Sequence, residues 1–245
     1  MSYLPKSVKI TVLADDLPNK KIPELIPSHS LSIHLEINAS KKTKILFDTG
    51  SSYEILRINA EILGIDLTDV DYVFVSLWRK CHIGGLVTGL QKIIEEDAKI
   101  ILPPLSNENT NRILARKGFV IADSFKHPFL RILGPFGSLM KEITLTVQMS
   151  KGSLILVGCA TYGLENLIST IRKEHLYPIK ALVGGLYLSY LDALTLEDFK
   201  DAVNELKIER VYPLHSTGYK ARIEILKNLF SIDTLCGVGF TTTIR

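Results

Sequence analysis

The chain has 245 residues, of which 46% are hydrophobic and 22% charged, a globular balance that excludes a disordered or fibrous protein. Its net charge of +3, with no basic run longer than a pair such as Lys41-Lys42, excludes nucleic acid and acidic membrane as expected partners. At this length one large α/β domain or two small ones bury enough surface to fold without disulfide staples.

The first quarter reads as strands. Val8–Leu13 and Leu31–Ile37 alternate, and Lys44–Phe47 follows a Lys-Lys turn. A polar, proline-bearing loop over 15–27 separates the first two. After Asp48-Thr49-Gly50 the spacing predicts a helix over Ile55–Leu63, closed by Gly64. An apolar strand, Tyr72–Val75, leads into a loop and a second helix over Ile83–Glu96. Lys99–Leu102 is a strand ended by Pro103-Pro104. Residues 105–140 lack a regular period and read as a variable active-site flap with some strand content. Strands resume over Ile143–Gln148 and Ser153–Val157. Then come a helix over Gly163–Glu174, a strand over Lys180–Val183 and a helix over Thr195–Leu206. A last strand, Arg210–Leu214, precedes a helix over Lys220–Leu229. This succession predicts a four-layer αββα sandwich, α/β in class, as a single domain over 1–245.

Three cysteines without regular spacing fit a reducing compartment. Met1 is followed by polar and charged residues rather than a signal peptide, and no apolar stretch approaches the roughly 20 residues of a membrane span. The expected location is the cytoplasm. Scarce glutamine (Gln91 and Gln148) beside abundant Ile, Leu, Lys and Glu leans towards a thermophile.

The most informative stretch is Ser76-Leu77-Trp78-Arg79-Lys80-Cys81-His82-Ile83-Gly84-Gly85-Leu86, directly after an apolar strand. It resembles the metal-binding loop of metallo-β-lactamase-fold hydrolases, Ser-His-x-His-x-Asp-His-x-Gly-Gly-Leu. Further segments, in order, resemble the branch of that superfamily that includes the archaeal dihydropterin-ribofuranosyl-aminobenzene phosphate synthase-like proteins. They are Leu31-Ser32-Ile33, Ile45–Gly50, Asn59–Leu67, Val157–Ala160, Val183–Leu188 and Pro213–Gly218. The resemblance runs from about Ser30 to Phe240, and it implies the two-sheet sandwich and a two-metal cradle.

The resemblance also shows where the cradle has changed. Leu77 and Arg79 stand in place of the first two histidines, and Thr161 in place of a later one. Leu77 has no lone pair and Arg79 is a permanent cation, so the first metal position is expected to be empty. Tyr187 replaces another histidine. The second position retains Cys81 (for aspartate), His82 and His215. A thiolate and two imidazoles with one open position form an acceptable catalytic zinc set.

Two main functional readings follow. The leading expectation is a degenerate, metal-free pocket that binds a small anionic ligand or has lost catalysis, lined by Asp48, Arg79, Lys80, Thr161 and Tyr187 with His82 and His215. The alternative is a mononuclear zinc hydrolase acting on an ester, lactone or phosphoester through Cys81, His82 and His215, with Asp48 orienting a ligand. The cofactor is accordingly none or one zinc ion. A third reading, an interaction subunit using the fold as a platform, predicts a large apolar surface patch. The expected partner is a small molecule; the family allows a homodimer, for which no residue here argues.

Several residues carry two readings. Leu46–Ser52 also matches an aspartic protease turn, but no second Asp-Thr/Ser-Gly supplies the partner carboxylate. Arg79 either holds a phosphate or carboxylate where a metal once sat or points to solvent. Trp78 either stacks on a planar ligand or fills space beneath its loop. Cys159 reads as core, and Cys236 as part of a tight glycine turn. His29, His34, His127 and His175 lack paired spacing and read as surface or packing residues.

Overall fold

The computed structural model describes residues 4–138, 140–176, 178–188, 193–230 and 235–245, the side chains of 193–196 excepted. Its first sheet contains β1 (Ser7–Ala14), β2 (Ser32–Asn38), β3 (Lys42–Phe47), β4 (Tyr72–Phe74), β5 (Lys99–Leu102), β6 (Val120–Ile121) and β12 (Thr241–Ile244). The second contains β7 (Leu130–Phe136), β8 (Glu142–Met149), β9 (Gly152–Val157), β10 (Ile179–Gly184) and β11 (Val211–Pro213). Strand order is β12-β1-β2-β3-β4-β5-β6 in one and β11-β10-β9-β8-β7 in the other. Hairpins join β1 to β2 and β2 to β3. From β3 to β6, and from β9 to β11, the pairing is parallel. Parallel neighbours need crossovers. These carry α1 (Tyr53–Ile62), α2 (Lys80–Thr88) and α3 (Glu108–Arg116) on the first sheet, and α4 (Leu164–Lys173) and α5 (Ala193–Glu205) on the second.

Side-chain alternation assigns the layers. Ile33, Leu35, Ile37, Ile45 and Phe47 face Leu145, Val147, Leu154, Leu156 and Val183 between the sheets. The intervening Leu46 and Val73 pack outward on Leu56, Ala60 and Leu86 of the helices. Ile155, Val157 and Leu182 do the same against Leu167, Ile171 and Phe199. Each such side chain contributes about 1.5–3 kcal/mol on burial. A core of this size needs no cross-link, and all three cysteines are free. The result is the helix–sheet–sheet–helix sandwich read from the sequence.

Three segments differ from the sequence reading. The second helix starts at Lys80, not Ile83, and ends at Thr88 rather than Glu96, with a short 3-10 turn over Leu90–Lys92 after it. Its two glycines explain the position: a Cβ on Gly84 would lie 2.2 Å from the Ser51 carbonyl oxygen, and one on Gly85 2.1 Å from that of Thr49. Only glycine lets this helix press onto the turn after β3. Residues 105–140 supply the strand content read there, as β6 and β7, and also α3, which was not read. None of the α3 side chains is fully buried. Near the C-terminus, α6 (Tyr219–Glu224) gives way to a π-helical turn over Ile225–Leu229. The threonine-rich β12, unread in the sequence, then pairs with β1.

The two parallel blocks discharge their carboxyl ends at one rim. The loop after β9 abuts the loop after β4 so closely that a Cβ on Gly158 would meet Ser76 Oγ at 2.0 Å. The Ile143 amide of the second sheet donates to the Ser76 carbonyl at 2.9 Å. Of the seven non-glycine residues with positive φ among the described residues, Asp48, Ala160, Tyr187 and Ser216 lie just past β3, β9, β10 and β11. Such backbone costs about 1–3 kcal/mol per residue and concentrates at functional sites.

Candidate metal centre

Asp48 ends β3 with φ 57° and is fully buried. Its Oδ1 accepts from the Ser76 amide at 2.7 Å, and its Oδ2 from Ser76 Oγ and His82 Nδ1, both at 2.7 Å. His82 sits in the first turn of α2, also fully buried. With Nδ1 committed to Asp48, its Nε2 is left without a hydrogen-bond partner. The Cys159 and Cys81 sulfurs lie close enough to the ring to help raise its pKa.

His215, directly after β11 and Leu214, is buried in the same way. Its Nδ1 bonds Asp16 Oδ1 at 3.0 Å. The Asp16 carboxylate follows β1 and is held from the other side by Arg222, whose Nη2 donates to Oδ2 at 3.3 Å. Arg222 itself is 1% exposed and bonds Asp15 Oδ1 at 2.7 Å and Oδ2 at 3.2 Å. His29, exposed, bonds Asp16 Oδ1 at 2.9 Å and meets the His215 ring edge-on at 4.5 Å.

Cys81, half-buried, completes the cluster: one donor atom from each of Cys81, His82 and His215 lies within 4.8 Å of the others. Burial works to raise the Cys81 thiol, but the adjacent His215 and His82 imidazoles override it and push its pKa down to about 6. Burial opposes charge on His215 too, yet hydrogen bonds to Asp16 and Cys81 hold it up at about 9. The Asp48 carboxylate likewise outweighs burial and holds His82 well above the usual histidine range. The cluster therefore gathers a thiol of lowered pKa between two imidazoles, each backed by a carboxylate.

The other half of the cradle is differently built. Leu77 is 0% exposed and part of the apolar interior. Arg79 and Lys80 are exposed at the head of α2, and neither side chain has a hydrogen bond or ion pair among the described residues. Thr161 is tied to Glu142, a fully buried carboxylate. Glu142 Oε1 accepts from the Cys159 and Ala160 amides at 2.8 Å, and Oε2 from the Thr161 amide at 2.9 Å and hydroxyl at 2.8 Å. Tyr187 is 57% exposed. Thus Asp48, Cys81, His82 and His215 converge, whereas Arg79, Lys80 and Tyr187 lie outside that cluster. Trp78 donates Nε1–H to the Pro103 carbonyl at 2.8 Å and packs beneath its loop.

Sequence reasoning missed Asp15, Asp16, Glu142 and Arg222, and it dismissed His29. The adjacent acids at the end of an alternating strand were the signal available for Asp15 and Asp16. A cavity of about 120 Å³ lined by Asp69, Asp71, Glu95, Asp97 and Lys99 lies at the opposite ends of β4 and β5 and has no part in this centre.

No protein-family model matches the chain. It is 23% identical to 7,8-dihydropterin-6-methyl-4-(β-D-ribofuranosyl)-aminobenzene-5'-phosphate synthase of Methanocaldococcus jannaschii, over 88% of this chain and 89% of that protein. Among solved structures, it superposes on a metal-dependent hydrolase of the β-lactamase superfamily with a TM-score of 0.71 and 24% identity, covering 96% of this chain and 98% of that one. The metallo-β-lactamase fold protein YhfI from Bacillus subtilis follows at 0.63 and 13%, covering 97% and 99%. The short form of human tRNase Z gives 0.59 and 12%, also over 97% and 99%. With its two helix-flanked sheets and near-complete overlap with these structures, the chain has the metallo-β-lactamase fold.

Proposed function

We propose that the protein is a hydrolase dependent on a single metal ion, zinc, held by Cys81, His82 and His215. One observation carries this reading: His82 Nε2 is buried with no partner while facing a half-buried thiol in a three-donor cluster. Buried polar groups are almost always satisfied, so an orphan nitrogen aimed at other donors marks a ligand position. The donor set suits zinc, which takes thiolate and imidazole and leaves room for substrate. Carboxylates behind both imidazoles fix the tautomer that presents Nε2, an arrangement typical of metal-ligating histidines.

A bound zinc ion would supply Lewis-acid polarisation of a substrate oxygen. The chain's own residues perform the remaining tasks. Asp48 and Asp16 hold the Nδ1 protons of His82 and His215. Arg79 and Lys80, exposed and unpaired at the head of α2, offer positive charge to an anionic substrate. A phosphate-bearing ester is the substrate class that this charge favours, and the name of the Methanocaldococcus relative includes a phosphate. Leu77 and the Glu142-bound Thr161 offer no ligand to a further ion on their side of Cys81.

Metal analysis of protein purified without chelator tests this reading. The expected result is about one tightly held zinc per chain after dialysis against metal-free buffer, lost in Cys81→Ser and in His215→Ala. Wild-type protein without zinc would leave only an anion-binding pocket, and zinc that survives both substitutions would place the site elsewhere.

A further inference from the structure

We propose a second, solvent-facing cation site formed by Asp16, His29 and His215, which takes a divalent transition-metal ion and shares the His215 imidazole with the inner cluster. One donor atom from each of the three lies within 4.8 Å of the others. Asp16 Oδ1 is the focus, hydrogen-bonded to His29 Nδ1 at 2.9 Å and to His215 Nδ1 at 3.0 Å, and an ion taken up here would displace the protons in those two bonds. Two imidazoles and a carboxylate are a recurrent set for zinc, cobalt or ferrous iron, with the remaining positions open to water.

The surroundings favour this use. Arg222 holds Asp16 by its other oxygen, so Oδ1 keeps its direction towards the two rings. The three residues come from separate places, the loop after β1, the approach to β2 and the end of β11. Their convergence is therefore a product of the tertiary fold. Exposure is graded across them: the side chains of His29, Asp16 and His215 are 85%, 28% and 3% accessible. His82, beyond them, is fully buried. The outer site is consequently the weaker one, with an exposed ligand and a shared imidazole. It rests on the proposed function only through that sharing, since His29 takes no part in the inner cluster.

The test is a cobalt(II) titration of the metal-free protein. Bound ions are counted by equilibrium dialysis, and the thiolate-to-cobalt charge-transfer band that an ion on Cys81 produces is followed. Wild type is expected to bind two ions, one of them generating the band. His29→Ala, an exposed position where folding is not at stake, should bind one ion with the band intact. Cys81→Ser should bind one ion without it. The proposal is overturned if His29→Ala still binds two ions, or if wild type binds a single ion that gives the band. A single ion without the band, lost in His29→Ala, would keep the outer site and sink the inner one.

Discussion

The two sides of the cradle solve opposite problems. Around Leu77 and Thr161 the polar groups of one loop are tied down: Glu142 spends both oxygens on four donors of the loop after β9, and Leu77 is buried hydrocarbon beside them. Around Cys81 the partners stop one atom short, because Asp48 satisfies Nδ1 of His82 and nothing satisfies Nε2. The first side is closed by hydrogen bonds and hydrocarbon, whereas the second leaves one buried imidazole nitrogen without a partner.

The largest test of that contrast is Asp48→Asn. It removes a buried charge that serves the Ser76 amide, the Ser76 hydroxyl and His82 together, and should cost about 3–5 kcal/mol in urea unfolding. Zinc should be lost with it. Glu142→Gln should cost less, about 1–3 kcal/mol, since one amide donor is turned against other donors. It should leave zinc content unchanged; loss of zinc there would merge the two sides into one. Asp16→Asn should weaken zinc binding about 10- to 100-fold in a chelator competition, the usual effect of losing a carboxylate behind a ligand histidine.

The smallest effect concerns His34, the other buried imidazole whose Nε2 lacks a partner. It sits within β2, and burial, only partly opposed by Glu36, pushes its pKa down to about 4 from 6.5. The folded state thus prefers neutral His34. Its contribution to stability is complete above pH 6.5 and lost as pH falls towards 4. His34→Leu should flatten the decline of melting temperature across that window without touching metal content. If His34→Leu removed zinc, the rule that an orphan nitrogen matters only among converging donors would fail.

Much of the architecture was legible because strand alternation and short apolar runs carry it directly, as in Leu31–Ile37 and Leu154–Val157. The inner cluster was legible through the motif around His82 and through His215 before Thr217-Gly218. What escaped was set by tertiary contact. Asp16 and His29 become neighbours only when β1, β2 and the end of β11 meet, and no local spacing announces that. Glu142 begins a strand that reads as ordinary, and its role depends on three amides sixteen or more residues away. The four-residue β12 is too polar to signal a strand, being defined by its partner β1.

That last strand ties the site to chain closure. Val12 and Phe240 exchange backbone bonds with their neighbours across the β1–β12 seam, Val238 N–H reaches the Leu17 carbonyl, and Asn19 reaches back to Val238. The Cys236 carbonyl accepts from Arg222, which also grips Asp15 and Asp16. The loop that carries the acids is thus clasped by residues more than two hundred positions downstream. Topologies rich in contacts of such sequence separation fold slowly, so the carboxylate behind His215 is expected to reach its place late, with the pairing of β1 and β12. Ion uptake in a refolding experiment should then lag behind sheet formation and act as a clock for that final docking.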